Sequence, residues 1–191
     1  HTTVPTDVFG NAIAGGRSTG GYRVVKLNTL TGDTMWTLYL AHPGVSGLFG
    51  AIQHVLTDAA GSIYAVGTNN THVLVAKLST DGEVLWTDTL PPSNGGLYSR
   101  NAEYVHLQED ILTIALPGFN SRLYQYDADG ARLMETPLVL PGLYYPEISA
   151  MQYFDGDLYI TGSSSANAGG GGSQRLGFTA RLGLESVPTG V

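Results

Sequence analysis

Asp58-Ala-Ala-Gly-Ser-Ile-Tyr-Ala-Val-Gly67, followed by Val73-Leu-Val-Ala-Lys-Leu-Ser-Thr-Asp-Gly-Glu-Val-Leu-Trp86, is echoed once upstream and twice downstream at a spacing of about 50 residues. The register is internally consistent. Gly16 returns as Gly67 and Lys26 as Lys77, both 51 residues on. The third unit runs at an offset of 48, so Ile63-Tyr64-Ala65-Val66 becomes Ile111-Leu112-Thr113-Ile114 and Asp81-Gly82 becomes Asp129-Gly130. In the fourth, Ile63-Tyr64 becomes Leu158-Tyr159 at 95 while Lys77 becomes Arg181 at 104. The nine additional residues fall between Ser163 and Gln174, a Gly-rich stretch expected to form a flexible loop.

Each unit reads as four strands: a from Ala51 to Thr57, b from Ser62 to Val66, c from Val73 to Ser79 and d from Glu83 to Thr89, separated by Gly, Asn, Asp or Ser. Asp81-Gly82 and Asp129-Gly130 supply the left-handed backbone of the c–d turns. Trp36, Trp86 and Met134 fall at one place in strand d. A large apolar side chain recurring there is a packing feature, because a four-stranded sheet cannot bury both faces alone and must stack on its neighbours. The predicted fold is therefore all-β: a β-propeller of four four-stranded blades of roughly 48 residues, in units about 1–40, 50–90, 100–138 and 147–191.

The fourth blade is expected to lack its outer strand. Counting on from Arg181, the Trp86 position falls on Gly190, and residues 184–191 show neither a hairpin glycine nor apolar alternation, reading instead as a linker to a further domain. An open edge of N–H and C=O groups invites pairing, so other blades, domains or subunits are expected to complete that blade. Three assemblies fit: a fragment of a larger propeller, a compact four-bladed propeller, or a protomer completed by another chain, which head to tail would build rings or fibres.

Gly-Ser-Ile-Tyr-Ala-Val-Gly with Leu-Val-Ala-Lys-Leu-Ser-Thr-Asp-Gly-Glu-Val-Leu-Trp resembles the bacterial SBBP-type β-propeller repeat, and Leu27-Asn-Thr-Leu-Thr-Gly-Asp-Thr-Met-Trp36 is similar to the Trp-containing repeat of the quinoprotein, or PQQ-like, propellers. The resemblance covers almost the whole chain and implies a blade fold. It does not select an activity, since those families include quinone-dependent dehydrogenases, assembly scaffolds and secreted surface proteins. They generally close with six to eight blades, against four here.

Composition narrows the partners. The 26 glycines and 13% charged residues suit a turn-dense β protein, and the formal net charge is −7. Nine scattered Lys and Arg make no phosphate-tracking stripe, so nucleic acid is not expected as a partner. No apolar run reaches the length of a membrane span. With no cysteine there is neither a disulfide nor a thiolate metal site. The start at His1 rather than Met reads as processing or excision from a longer protein, and Asn69-Asn70-Thr71 is a glycosylation sequon with Asn69 as acceptor; both favour an extracellular or cell-surface location.

Binding candidates gather on one rim. The d–a segments carry Gly47-Leu48-Phe49, Gly96-Leu97-Tyr98 and Gly142-Leu143-Tyr144 in matching places, an arrangement that scaffold packing also explains. Phe49, Tyr98 and Tyr144, with the unrepeated His42, Arg100 and Tyr145, are the residues expected to stack on a sugar or hold a peptide. Catalytic signatures are missing: the five histidines show no zinc spacing, Asp127-Ala-Asp129-Gly130 lacks the later glutamate of a calcium loop, and Ala168-Gly-Gly-Gly-Gly-Ser-Gln174 lacks the Lys of a phosphate loop. Lys26, Lys77 and Arg181 are read as stems lying over blade surfaces. No cofactor or metal is expected. The function expected is that of a non-enzymatic extracellular or cell-surface module with a structural, adhesive or assembly role. The alternative is a carbohydrate- or peptide-binding propeller using the aromatic d–a rim, and a fragment of a quinone-dependent oxidoreductase stands third.

Overall fold

One turn, repeated, sets the strands in place. Asp7, Asp58, Ser79 and Asp127 each accept, on a side-chain oxygen, the N–H four residues on, and in three of these turns also the N–H two residues on. Gly10, Gly61, Gly82 and Gly130 then donate back to the carbonyls of those same four residues. The glycines lie at φ of 81°, 86°, 85° and 86°, where a Cβ is strained. Asp127-Ala-Asp129-Gly130 is therefore a hairpin turn, with its carboxylate spent on the backbone.

The computed structural model describes residues 4–18, 21–41, 50–69, 72–91, 104–116, 121–138, 144–155, 157–168 and 172–182, with only the backbone considered at 144–147, 165–168 and 172–174. Every regular element among them is a strand. They fall into two compact units. The first holds β1 (Ala12–Ser18), β2 (Gly21–Leu27), β3 (Thr34–Leu40), β4 (Ala51–Thr57), β5 (Ile63–Thr68), β6 (Val73–Leu78) and β7 (Val84–Leu90), in the order β3-β2-β1-β4-β5-β6-β7. Among the described residues β1 and β4 pair only at Arg17↔Ala51, so the sheet is two meanders, or blades, joined at a corner. Strand a of the first blade is short: Thr6 bridges Ala12, and Ile13 N–H donates to Pro5 O.

The second unit holds β8 (Tyr104–Gln108), β9 (Ile111–Leu116), β10 (Arg122–Tyr126) and β11 (Arg132–Pro137) in one antiparallel sheet, and β12 (Tyr144–Phe154), β13 (Asp157–Ala168) and β14 (Gly172–Leu182) in another. Residues 183–191, and with them the expected absence of an outer strand and the linker at 184–191, lie outside the described residues.

Three expectations are corrected. The stretch from Ser163 to Gln174 is largely ribbon: β13 and β14 stay paired from Ser163↔Gly177 to Ala168↔Gly172, because the added residues lengthen both arms of one hairpin. Tyr144 and Tyr145, expected in a loop, begin β12, where Tyr144 pairs with Ser165. In the third unit strand b is displaced by one residue. Its a–b connection is a two-residue turn with Glu109 and Asp110 at φ of 48° and 63°, which replaces the Asp-x-x-Gly turn of the first two blades. Leu112 pairs with Tyr126 as Ile63 pairs with Leu78, so Thr113 occupies the place of Tyr64. One residue of slip exchanges the faces of the strand, and Thr113 rather than Leu112 joins Gln125.

Packing follows the period of two. Ile13, Tyr22, Val24 and Leu40 of the first blade meet Ile52, Ile63, Ala65, Leu74, Ala76 and Leu78 of the second, with Trp36, Leu38 and Val55 half-buried at the margin. At about 1.5–3 kcal/mol for a fully buried large side chain, this face dominates the stability of the first unit. In the second unit Ala115, Leu123 and Leu138 meet Ile148, Leu158 and Ile160 in the same way. A bulge recurs in the c–d ladders just after Lys26, Lys77 and Gln125, setting Trp36, Trp86 and Met134 opposite those three residues.

Candidate functional site

The polar feature that strand geometry builds most completely is the repeated position Lys26, Lys77 and Gln125. Lys26 Nζ lies 2.7 Å from Asp7 Oδ2, with the two side chains 4% and 0% exposed. It also donates to Thr80 O in the next blade's c–d hairpin at 3.0 Å. Asp7 accepts two backbone N–H groups and Asn11 Nδ2, so its lone pairs are filled. Lys77 repeats the design more loosely, 3.5 Å from Asp58 and with Nζ 4.9 Å from the centre of the Tyr64 ring. The expectation that these lysines drape over blade surfaces is thus overturned: an ammonium at that depth needs a carboxylate, and Asp7 and Asp58, 51 residues apart like the lysines, supply it. That shared offset was the sequence signal. Arg181 does lie at the surface, bound to Asp157.

In the third unit the site is neutral. Gln125 Nε2 donates to Tyr153 OH at 2.5 Å and to Thr113 Oγ1 at 3.2 Å, and Thr113 and Tyr153 hydroxyls are 2.7 Å apart. His106 stacks on Tyr153 with ring centres 5.2 Å apart. Replacing Tyr153 with Phe is expected to cost about 1–3 kcal/mol in urea unfolding, because Gln125 and Thr113 lose a buried partner.

The ionisation of these groups is settled rather than poised. Burial works to raise the Asp7 pKa, but Lys26, Asn11 and the backbone donors overcome it and hold the carboxyl well below the usual range. Burial works to lower that of Lys77, yet Tyr64 and Asp58 push it up. Burial pushes the Tyr153 phenol up against its Thr113 and Gln125 hydrogen bonds. Each therefore stays in its ordinary form at neutral pH, unlike a general acid or base tuned toward 7. Since Asp7 is depressed in the folded state, its contribution is complete above the unfolded carboxylate value near 3.9 and is lost as pH falls below it. Urea midpoints are expected to hold from pH 7 to about 4 and drop beneath. In a Lys26→Met variant, burial of Asp7 goes unopposed by that charge and the drop is expected at higher pH.

Of the residues expected to bind ligand, His42, Phe49, Tyr98 and Arg100 lie outside the described residues. Tyr144 and Tyr145 are placed by backbone alone, at the start of β12. Asn69 is 8% exposed: its Oδ1 accepts His72 N–H at 2.7 Å and its own N–H donates to His72 O. Its side-chain oxygen and its backbone N–H are thus both bonded to His72. Among the described residues no group of three His, Asp or Glu could hold a metal, and no helix is long and apolar enough to cross a membrane.

The opposite rim, formed by the a–b and c–d turns, carries features that the sequence reading passed over. Phe9, in the a–b turn of the first blade, is 79% exposed, and Leu30, in its c–d turn, 94%. Thr29 Oγ1 ties these two turns together through Gly10 O at 2.8 Å. On β3, Met35 and Tyr39 are 50% and 60% exposed.

No protein-family model matches the chain, and no curated protein sequence matches it. Solved structures do. A chain in the structure of Drosophila Plexin A in complex with Semaphorin 1b aligns at a TM-score of 0.56 and 10% identity, over 94% of this chain and 40% of its own length. Drosophila Semaphorin 1a, extracellular domains 1–2, aligns at 0.55 and 12%, over 95% of this chain and 40% of its own. A protein of unknown function from Bacteroides caccae covers 92% of this chain and 69% of its own at 13% identity, with a TM-score of 0.44. This chain thus spans two fifths of either Drosophila protein, and at such identities the likeness is one of fold. The chain has an all-β, propeller-like fold.

Proposed function

We propose that this chain is a non-enzymatic, extracellular or cell-surface module of four blades that acts through its surfaces, as a structural, adhesive or assembly component. The observation that carries the proposal is the exposed apolar set Phe9, Leu30, Met35 and Tyr39 on the first blade. Several large apolar side chains exposed on one blade mark a contact surface more often than a free one. Support comes from the Drosophila neighbours, one described as extracellular domains and the other as a complex between two proteins. The settled ionisation of Asp7, Lys77 and Tyr153 agrees with a role that moves no protons.

Antibody labelling of intact against lysed cells of the producing organism tests location: intact cells should label, and labelling only after lysis would refute the surface role. A Phe9→Ser, Leu30→Ser variant should keep its circular dichroism spectrum and unfolding midpoint yet lose retention at the surface. Dye reduction after addition of PQQ and calcium should be absent, and turnover would overturn the non-enzymatic reading.

A further inference from the structure

Three blades present the same outer strand edge, and two of them close it. β3, β7 and β11 each end their sheet. Tyr39, Thr89 and Pro137 hold one place in those strands, opposite Arg23, Leu74 and Arg122. Leu138 N–H donates to Ser121 O at 2.8 Å, so by antiparallel alternation the residue before it turns its main-chain groups outward. In the third blade that residue is a proline, which has no N–H to offer. In the second, Asp88 Oδ1 accepts the Thr89 N–H at 2.7 Å. β11 and β14 add the charges of Arg132, Glu135, Arg175 and Arg181. Devices of this kind keep a sheet edge from pairing with another chain.

The first blade carries none of them. Leu38 stands where Asp88 stands, and Thr34 to Leu40 contains no charge, no glycine and no proline. By the shared ladder register Thr37 and Tyr39 turn N–H and C=O away from β2, and Tyr39 is 60% exposed. The edge also matches itself. Two copies run antiparallel about a two-fold axis at Leu38 set Thr37 of each against Tyr39 of the other, pairs that exchange both of their main-chain bonds, and lay Leu38 against Leu38. A chain of net charge −7 repels its own copies, and on this uncharged strand two of them meet with no like charges opposed.

We infer that the outer edge of β3 pairs with the same edge of a second copy of this chain, antiparallel and with Thr37 opposite Tyr39, joining two first blades into one continuous sheet. Only Trp36 to Leu40 lies beyond the bulge of this strand, so the contact is short and the association weak and reversible. This gives the apolar surface proposed above its partner, and rests on that reading.

Sedimentation velocity of the full chain from dilute to millimolar concentration should show a dimer growing in. Amide hydrogen exchange at Thr37 and Tyr39 should slow in step with it, while Thr87 stays fast. Tyr39→Pro, which copies Pro137, removes an outward N–H without touching a bond to β2, and should return the chain to monomer with its unfolding midpoint unchanged. Thr37→Glu, which copies Glu135, should do the same by setting two carboxylates diagonally across the axis, and keeps the test open should proline unfold the strand. A chain that stays monomeric at millimolar concentration, or a dimer that survives either substitution in folded protein, would overturn the inference, as would protection at Thr87 and Thr89 in place of β3. Protection of Thr37 and Tyr39 by a synthetic peptide of residues 34–41, in a chain that remains monomeric, would overturn the choice of partner. A monomer displayed on intact cells would leave the surface role standing, and a solution dimer absent from the cell surface would sink that role alone.

Discussion

Replacing Lys26 with alanine is expected to cost about 3–5 kcal/mol in urea unfolding, one of the two largest effects of any single substitution proposed here. The charge on Asp7 would remain at full burial with its backbone and Asn11 donors but no cation, and Thr80 O would lose one of its two donors. Lys26→Gln should lose less, because the third blade already places Gln125 there and satisfies it with neutral hydroxyls. The exposed Arg122–Glu135 pair is the contrast: at 41% and 35% side-chain exposure, Glu135→Gln should move stability by less than about 1 kcal/mol. Equal losses at Lys26 and Glu135 would contradict the assignment of depth.

Gly67→Ala should be worse than its size suggests, with a loss above about 4 kcal/mol or failure to fold. An added Cβ would fall 2.3 Å from Ala51 O and 2.8 Å from Ile52 Cα. Both are backbone atoms, pinned by the irregular register of β4 on β5 between Ile52 and His54. Gly16 occupies the same place in the first blade, and nothing described lies within 4 Å of its Cβ position. Gly16→Ala is therefore expected to be neutral or to stabilise by about 0.4–1 kcal/mol through the unfolded chain. Chemical denaturation of the two variants side by side checks the pair, and similar losses at both would count against the strand placement.

The parts of the fold legible in the sequence are those governed by local chemistry. Strand a of the second blade falls on Ala51–Thr57, and the glycines of the c–d turns take the left-handed backbone, because alternation and turn residues act over a few positions. The misreadings came where two local solutions compete. Glu109-Asp110 closes a hairpin in two residues without glycine, and the shorter turn moved strand b by one place. The Gly- and Ser-rich stretch after Thr161 lacks β-branched residues, yet pairing between adjacent arms of one hairpin carries it as strand.

The candidate site was less legible for a different reason. Asp7 and Lys26 are 19 residues apart, and their union depends on the ladder that places Lys26 on the buried face of Tyr22 and Val24, opposite Trp36, a tertiary fact with only its repetition at Asp58 and Lys77 visible beforehand. Aromatic residues drew the reading to the d–a rim, whereas exposed Phe9 and Leu30 sit on the other, inside turns that composition marks as ordinary.

The account stands on adjacent copies of the repeat packing face to face, and nuclear magnetic resonance of the chain reads this at one contact. The Hα protons of Gly82 should show cross-relaxation with the Trp36 indole and resonate well upfield of an unstructured glycine, since the ring covers that residue. Gly82 signals at unshifted positions with no Trp36 contact, in a chain otherwise folded, would contradict it.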